Sequence, residues 1–169
     1  MGAGDTRVRP AAGVEPTVAE VDLRVARAGD LAAVHALIGE LGYADLEEDA
    51  FARGYAAVLA DAAQQVWLAE LEGVVVGLIS LSARPQIRLT GPILTVDELV
   101  VSERARGAGV GKKLIDLAKS EARRLGARRL ELLTARGRPS YVRRFYPKNG
   151  FVEVDSAVMR WPLPGPTDG

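Results

Sequence analysis

The sequence predicts an α/β fold with a mixed sheet (α+β in its order of elements): helices cover both faces of one central sheet of mixed direction. Three observations predict it. Two apolar runs flanking Glu72-Gly73 have the pattern of a hairpin, so part of the sheet is antiparallel. Ile93 to Thr134 reads strand, helix, strand, which makes another part parallel. Helical periodicity appears both before the hairpin, from Asp30, and after it, from Gly109.

The predicted order is β-α-α-β-β-β-α-β-α-β. Val21 to Arg27 alternates apolar and polar residues and forms the first strand. Asp30 opens a helix that carries Leu31, Val34, Ile38 and Leu41 at helical spacing and stops at Gly42. Asp45, with Glu48 three residues later, has the form of a capping box for a second helix through about Ala60. Gln65 to Leu71 and Val74 to Leu81 are the hairpin strands, and a third strand follows at about Ile93 to Ser102. From Gly109, residues Leu114, Ile115, Ala118, Ala122 and Leu125 share one face of a helix that ends at Gly126. Arg129 to Thr134 is a strand again. A short helix from about Ser140 and a last strand ending near Trp161 complete the list. Residues 1–20 and 163–169, rich in Gly, Pro and charge without a period, read as flexible tails around a single domain at 21–162.

The bulk numbers exclude several classes. A chain of 169 residues suffices for one sizeable core. The 22 basic residues balance the 22 acidic ones, so the whole molecule has no net attraction for nucleic acid or an anionic membrane. There is no cysteine, which removes disulfides, thiolate nucleophiles and Cys-based zinc, and the single histidine disfavours a His-ligated metal. No apolar run reaches the roughly 18 residues of a membrane span, and the first 20 residues lack the apolar middle of a signal peptide, so the cytoplasm is the expected compartment.

Chemistry concentrates in Val101-Ser-Glu-Arg-Ala-Arg-Gly-Ala-Gly-Val-Gly-Lys112, a glycine-rich stretch between a strand and a helix. Amides at a helix N-terminus lack intrahelical acceptors, and the helix dipole adds positive potential there. Glycines at 107, 109 and 111 admit a phosphate to the backbone, while Arg104, Arg106 and Lys112 bring charge to the same place. The Walker A spacing fails, because Arg106 stands five before Gly111 and Lys113 stands where a hydroxyl is needed. The dinucleotide spacing G-x-G-x-x-G fails as well.

What fits is R-x-x-G-x-G, met by Arg106, Gly109 and Gly111, after a strand of the form E-L-x-V at Glu98 to Val101 and before a helix with Leu114 three residues past the last glycine. Downstream, Arg144-Phe-Tyr-Pro-Lys-Asn-Gly-Phe151 matches F-Y-x-x-x-G-F, and the first helix ends in Glu-Leu-Gly-Tyr43. Together with the element order, these motifs resemble the GNAT superfamily of acyl-CoA-dependent N-acetyltransferases over about Val21 to Trp161.

The resemblance implies an N-acetyltransferase that moves acetyl from acetyl-CoA, used as a co-substrate without a metal, to a primary amine of a small molecule or a protein. The alternative is a module of the same fold that binds acyl-CoA without turning it over. By resemblance, the pantetheine arm pairs with backbone at Leu99, Val100 and Val101. The pyrophosphate sits on the amides of Arg106, Gly107, Ala108, Gly109, Val110, Gly111 and Lys112, with charge from Arg104 or Lys112. A strand bulge turns a backbone N–H near Val100 toward the thioester carbonyl, and Tyr146 protonates the leaving thiolate. Glu98 is the general base, directly or through one water, with Asp97 as its rival; strand alternation puts these two on opposite faces.

His35 reads as a packed or solvent-facing helix residue. Tyr43, Asp45, Glu47, Glu48 and Asp49 are either an acidic lip for a cationic amine or simply the start of a helix. Two departures from the family pattern stand out. Pro147 follows Tyr146 and removes a helical hydrogen bond to the carbonyl of Arg143. The loop Ala135 to Ser140 lacks an asparagine, whose place Ser140 or the loop backbone would take. No nucleic acid or membrane partner is expected, and the last strands are candidates for pairing in a homodimer.

Overall fold

The structure, a computed structural model, describes residues 20–161. The predicted tails lie outside the described residues, apart from Glu20. Five strands form one sheet in the order β1-β2-β3-β4-β5: β1 (Val21–Val25), β2 (Gln64–Leu71), β3 (Val74–Gln86), β4 (Gly91–Val101) and β5 (Arg129–Leu132). The first four pair antiparallel, while β4 and β5 are parallel, in register from Ile93 opposite Arg129 to Val96 opposite Leu132. The β2–β3 turn holds Glu72 at φ 50° and Gly73 at φ 76°, a pair of left-handed residues whose twist suits a two-residue hairpin.

Each face of the sheet has its own helices. Ile79, Leu81, Leu94 and Val96 pack against α3 (Val110–Arg124), which buries Val110, Leu114, Ile115, Ala118 and Ala122. Leu68, Leu78 and Val100 point the other way, against α1 (Leu31–Glu40) through Val34 and Leu37 and against α2 (Glu48–Ala60) through Tyr55. Gly77 sets the approach of α3. A Cβ there would lie 2.9 Å from Val110 Cγ1 and 3.3 Å from the carbonyl oxygen of Val100, so only glycine lets the first turn of α3 rest on β3. At the outer edge, Arg24 of β1 donates to Asp30 and to Glu70 at 2.8 Å, tying the entry of α1 to β2.

Three expectations change. The second helix is capped by Glu47, not by an Asp45–Glu48 box: the Glu47 carboxylate accepts from the amides of Asp49 at 3.0 Å and Ala50 at 2.7 Å. The helix after β5 is split into α4 (Pro139–Val142) and α5 (Phe145–Lys148). No last strand forms among the described residues. Phe151 to Trp161 carries β-forming residues, but Val152, Val154, Met159 and Trp161 are exposed, and the segment is held by side chains instead. Arg136 and Tyr141 both donate to Glu153, drawing the chain toward the loop after β5 rather than along that short strand.

Candidate active site

The site begins with a break in the register of β4. Ser80 stands opposite Glu98 and Leu81 opposite Val96, so Asp97 is an extra residue, a β-bulge. Pairing with β5 stops at the same place, since Val96 is the last residue of β4 opposite β5. From Asp97 to Val101 the strand keeps β3 and leaves β5, which opens a cleft between β4 and β5. The amide of Ser102 donates to the Val76 carbonyl at 2.8 Å, so by alternation the Val100 N–H also faces β3. The backbone groups turned toward the open side are those of Leu99 and Val101. A donor near Val100 is the expectation, and the amides turned to the open side are those of its two neighbours.

The bulge also redirects the two carboxylates. Two residues on the bulged strand oppose one on its partner, so consecutive side chains leave from one face. Asp97 approaches Ser82 and Arg84, while Glu98 sits beside Ser80 with its own amide donating to Ser80 Oγ at 3.0 Å. Ser80 and Ser82 are two apart on β3 and so share a face. The predicted opposition of Asp97 and Glu98 is thereby corrected. Burial pushes the Glu98 carboxyl above its ordinary range, and the adjacent Asp97 charge pushes it further. Asp97 is raised by burial as well, with Ser82 and Arg84 holding it down in part. Glu98 closes one side of a cavity of 240 Å³ between α1, α2 and the sheet.

At the end of β4 the chain makes a single 3-10 turn, Glu103–Ala105, and then the glycine-rich loop. Gly107 at φ 89° and Gly109 at φ 81° lie in the left-handed region, and a Cβ on either would meet no atom within 4 Å. Both positions are open and demand glycine. Gly111 has a further reason: its Cβ would stand 3.2 Å from Cζ of Phe145, so this glycine also makes room for a ring. The first helical hydrogen bond of α3 runs from Lys113 N–H to the Gly109 carbonyl, which leaves the amides of Val110, Gly111 and Lys112 without intrahelical acceptors. There is no acid in the first turn of α3. Arg106 is paired with Glu103, and Lys112 with Asp116. Arg104 donates to the Val75 carbonyl at 3.3 Å.

Tyr146 lies on α5. Arg144 sits at φ 56° and breaks the helix, so Pro147 falls in the first turn of a new one, where its missing N–H is needed by no intrahelical acceptor. The proline thus sits in the first turn of α5 without displacing Tyr146 from a packed position. Its ring meets Phe145 at 5.2 Å and Phe151 at 6.1 Å, both edge-on. Burial raises the Tyr146 hydroxyl above its ordinary pKa, opposed in part by Ser140, Arg138 and Thr134. Ser140 stands where the sequence placed a substitute for the absent asparagine.

Two residues were missed. Glu40, at the end of α1, accepts from Ser102 Oγ and from the Glu103 amide, each at 2.9 Å, and so holds the start of the glycine-rich loop. Arg138 donates to the Leu41 carbonyl at 2.9 Å and ties the loop before α4 to the same turn of α1. Glu40 was visible as the first residue of Glu-Leu-Gly-Tyr43; Arg138 had no local signal. His35 packs on Phe51, with ring centroids 4.6 Å apart, and its Nε2 is buried without a hydrogen-bond partner. Of the acidic group, Glu47 caps α2 and the others are exposed. No helix among the described residues is long and apolar enough to cross a membrane.

Residues 31–151 match the model of the Acetyltransferase (GNAT) family. The chain is 38% identical over 130 residues to the aminoalkylphosphonate N-acetyltransferase of Salmonella typhimurium, covering 77% of this chain and 84% of that protein. Among solved structures, the ribosomal-protein-alanine N-acetyltransferase of Brucella melitensis aligns with a TM-score of 0.68 at 25% identity, over 84% of this chain and 100% of that one. An aminoglycoside N-acetyltransferase, AAC(6')-Iy, solved in complex with CoA, aligns with a TM-score of 0.75 at 19% identity, over 88% of this chain and 99% of that one, a likeness of fold. With its bulged strand, its glycine-rich helix start and a family match across most of its length, this chain belongs to the GNAT acetyltransferase family.

Proposed function

We propose that this N-acetyltransferase carries acetyl from acetyl-CoA to the primary amine of a small molecule, with Glu98 as general base and Tyr146 as general acid. The single observation that carries the reading is the bulge at Asp97, which opens β4 from β5 and leaves Glu98 on the helix-covered face beside that opening. The curated relative's small-molecule acceptor supports a small amine over a protein.

The residues fit acetyl-CoA. Positive-φ glycines at 107 and 109 and open amides from Val110 to Lys112 suit a pyrophosphate, and the Leu99 and Val101 backbone suits the pantetheine amides. Acetyl-CoA supplies the activated acyl group as a thioester. Glu98 takes a proton from the attacking amine, directly or through water, so that the nitrogen carries a lone pair. A backbone N–H from Leu99 or Val101 donates to the carbonyl oxygen as its charge develops. The C–N bond forms, the C–S bond breaks, the departing thiolate takes the hydroxyl proton of Tyr146, and the second proton lost from nitrogen as the amide forms returns through solvent to the phenolate. Because burial keeps that phenol protonated at working pH, it is available as a donor. On this reading the reaction takes place in the cytoplasm.

The test is release of free CoA thiol from acetyl-CoA against a panel of small amines that includes 2-aminoethylphosphonate. Turnover with at least one amine, lost in Glu98→Gln, is the expected result. Tight CoA binding with no thiol released from any acceptor would leave only the binding-module alternative.

A further inference from the structure

The cavity against Glu98 has features that the acetyl-transfer chemistry alone does not require. It measures 240 Å³, and its walls are Val34 and Ile38 from α1 and Phe51 and Val58 from α2, with the Leu78 side of the sheet as floor. Glu98 is the one charged residue lining it. Among the described residues no cation acts on the Glu98 charge, which burial and Asp97 set. A buried carboxylate without a counter-charge is costly, and a bound ammonium would offset that cost. The remaining walls offer dispersion contacts and almost no hydrogen bonding.

A second, independent observation comes from Gly54. It lies in the interior of α2, where glycine is the least favourable residue after proline, and a Cβ there would meet no atom within 4 Å. It is not excused by a turn or by close packing. Gly54 lines the cavity in line with Phe51 and Val58, at the spacing of one helix face. Gly54 is itself exposed, so a side chain here stands at the open side of the cavity.

We infer that the cavity is the acceptor site, that its occupant is a primary amine with a compact apolar body, and that Gly54 sets the size it accepts. This rests on the reading of Glu98 as the base. The ammonium meets Glu98 and the carbon body lies between Val34, Ile38, Phe51 and Val58. A volume of about eight waters, at ~30 Å³ each, holds an amine the size of isopentylamine or 2-phenylethylamine. An acid group on the acceptor would find no cation among the lining residues and would have to remain outside.

The test compares ethylamine, isopentylamine, 2-phenylethylamine and 2-aminoethylphosphonate with wild type and Gly54→Leu, reading CoA release and the shift in Tm on adding each amine. In wild type, kcat/KM is expected to rise about threefold to fourfold for each methylene enclosed. Gly54→Leu should cut kcat/KM for the two large amines tenfold or more, cut it less for ethylamine, and abolish the Tm shift given by the large amines. Gly54→Ala, better suited to a helix, serves as the folding control and should give an intermediate selectivity. Turnover of 2-aminoethylphosphonate above every apolar amine, unaltered by Gly54→Leu, overturns the apolar site while acetyl transfer stands. If no amine releases CoA, the proposed function fails, and the Tm shifts still decide the pocket: an amine effect lost in Gly54→Leu supports it, and no effect in wild type overturns it.

Discussion

Asp97 and Glu98 are consecutive on β4, yet their carboxylates leave the same face of the sheet. The bulge at Asp97 puts two residues opposite one on β3, and the pair ends beside Ser82 and Ser80 respectively. Both carboxyls are raised, each chiefly by burial, and the Asp97 charge raises Glu98 further.

The first prediction separates the two acids. Glu98→Gln should lower kcat by about 10²-fold or more and flatten the rise of rate with pH, as expected for removing a general base. Asp97→Asn should retain most of the activity but move the acidic limb of the profile to lower pH, because Glu98 loses the neighbouring charge that raises it. If Asp97→Asn instead abolishes the pH dependence and Glu98→Gln keeps it, the two roles are exchanged.

A second prediction concerns stability. A carboxyl with a folded pKa above its unfolded value of about 4.3 binds its proton more tightly when folded. The corresponding stability is full below the unfolded pKa and is lost as pH rises through the folded pKa. At neutral pH, Glu98 therefore opposes folding. Glu98→Gln should have a higher Tm than wild type at pH 7.5, with the gap closing as pH approaches about 4. Thermal melts at these two pH values measure it, and an equal Tm at both would show that the site does not strain the carboxylate.

The third prediction addresses Tyr146. Tyr146→Phe removes the hydroxyl while keeping the ring against Phe145 and Phe151, so the fold and the KM for acetyl-CoA should change little. The value of kcat should fall by about 10²-fold, in the range for loss of a positioned proton donor. Since the hydroxyl is raised by burial, wild-type activity should show no basic limb from Tyr146 below pH 10. Steady-state kinetics from pH 6 to 10 check both points.

The fourth prediction tests the link from α1 to the glycine-rich loop. Glu40→Ala strips the acceptor from Ser102 Oγ and the Glu103 amide, and Ser102 is buried. A stability loss of about 1–3 kcal/mol is expected for the unpaired buried group. The KM for acetyl-CoA should rise several-fold, with kcat at saturation nearly intact. A drop in kcat alone would place Glu40 with the reacting groups instead.

The fifth concerns packing beneath the same loop. Gly77→Ala sets a Cβ 2.9 Å from Val110 Cγ1, close against the Val100 carbonyl, where neither backbone can yield freely. Overpacking of this kind costs about 1–3 kcal/mol. Because Val110 opens α3, affinity for CoA should weaken as well. Gly107→Ala has open space and should act through its φ of 89° alone, which makes it a useful contrast in denaturant melts and CoA titrations.

Local patterns carried much of this protein. Alternation and helical spacing marked β1 to β5 and the three main helices, because a buried face repeats every two residues in a strand and about every 3.6 in a helix. The glycine-rich stretch before α3 was legible for a similar reason: the residues at positive φ and the helix start they precede are neighbours in sequence. The faces of Asp97 and Glu98 were not legible, since a bulge is a property of two strands in register: which β3 residue stands opposite Glu98 is set by the pairing and not by the residues next to Glu98. The same holds for Arg138, which reaches the Leu41 carbonyl across 97 residues. Gly111 shows the distinction within one motif: its place was plain from sequence, but its reason, the ring of Phe145, depended on where α5 packs. The last strand failed in the other direction, because an apolar pattern can state what a segment is able to form, while a strand needs a partner edge to supply its hydrogen bonds. The sequence by itself determined the elements from β1 to β5, their order and the coenzyme-binding signature. Tertiary structure alone decided which carboxylate borders the cavity, which amides face the cleft and how much space Gly54 leaves at the open side of the cavity, because each depends on groups brought together across the fold.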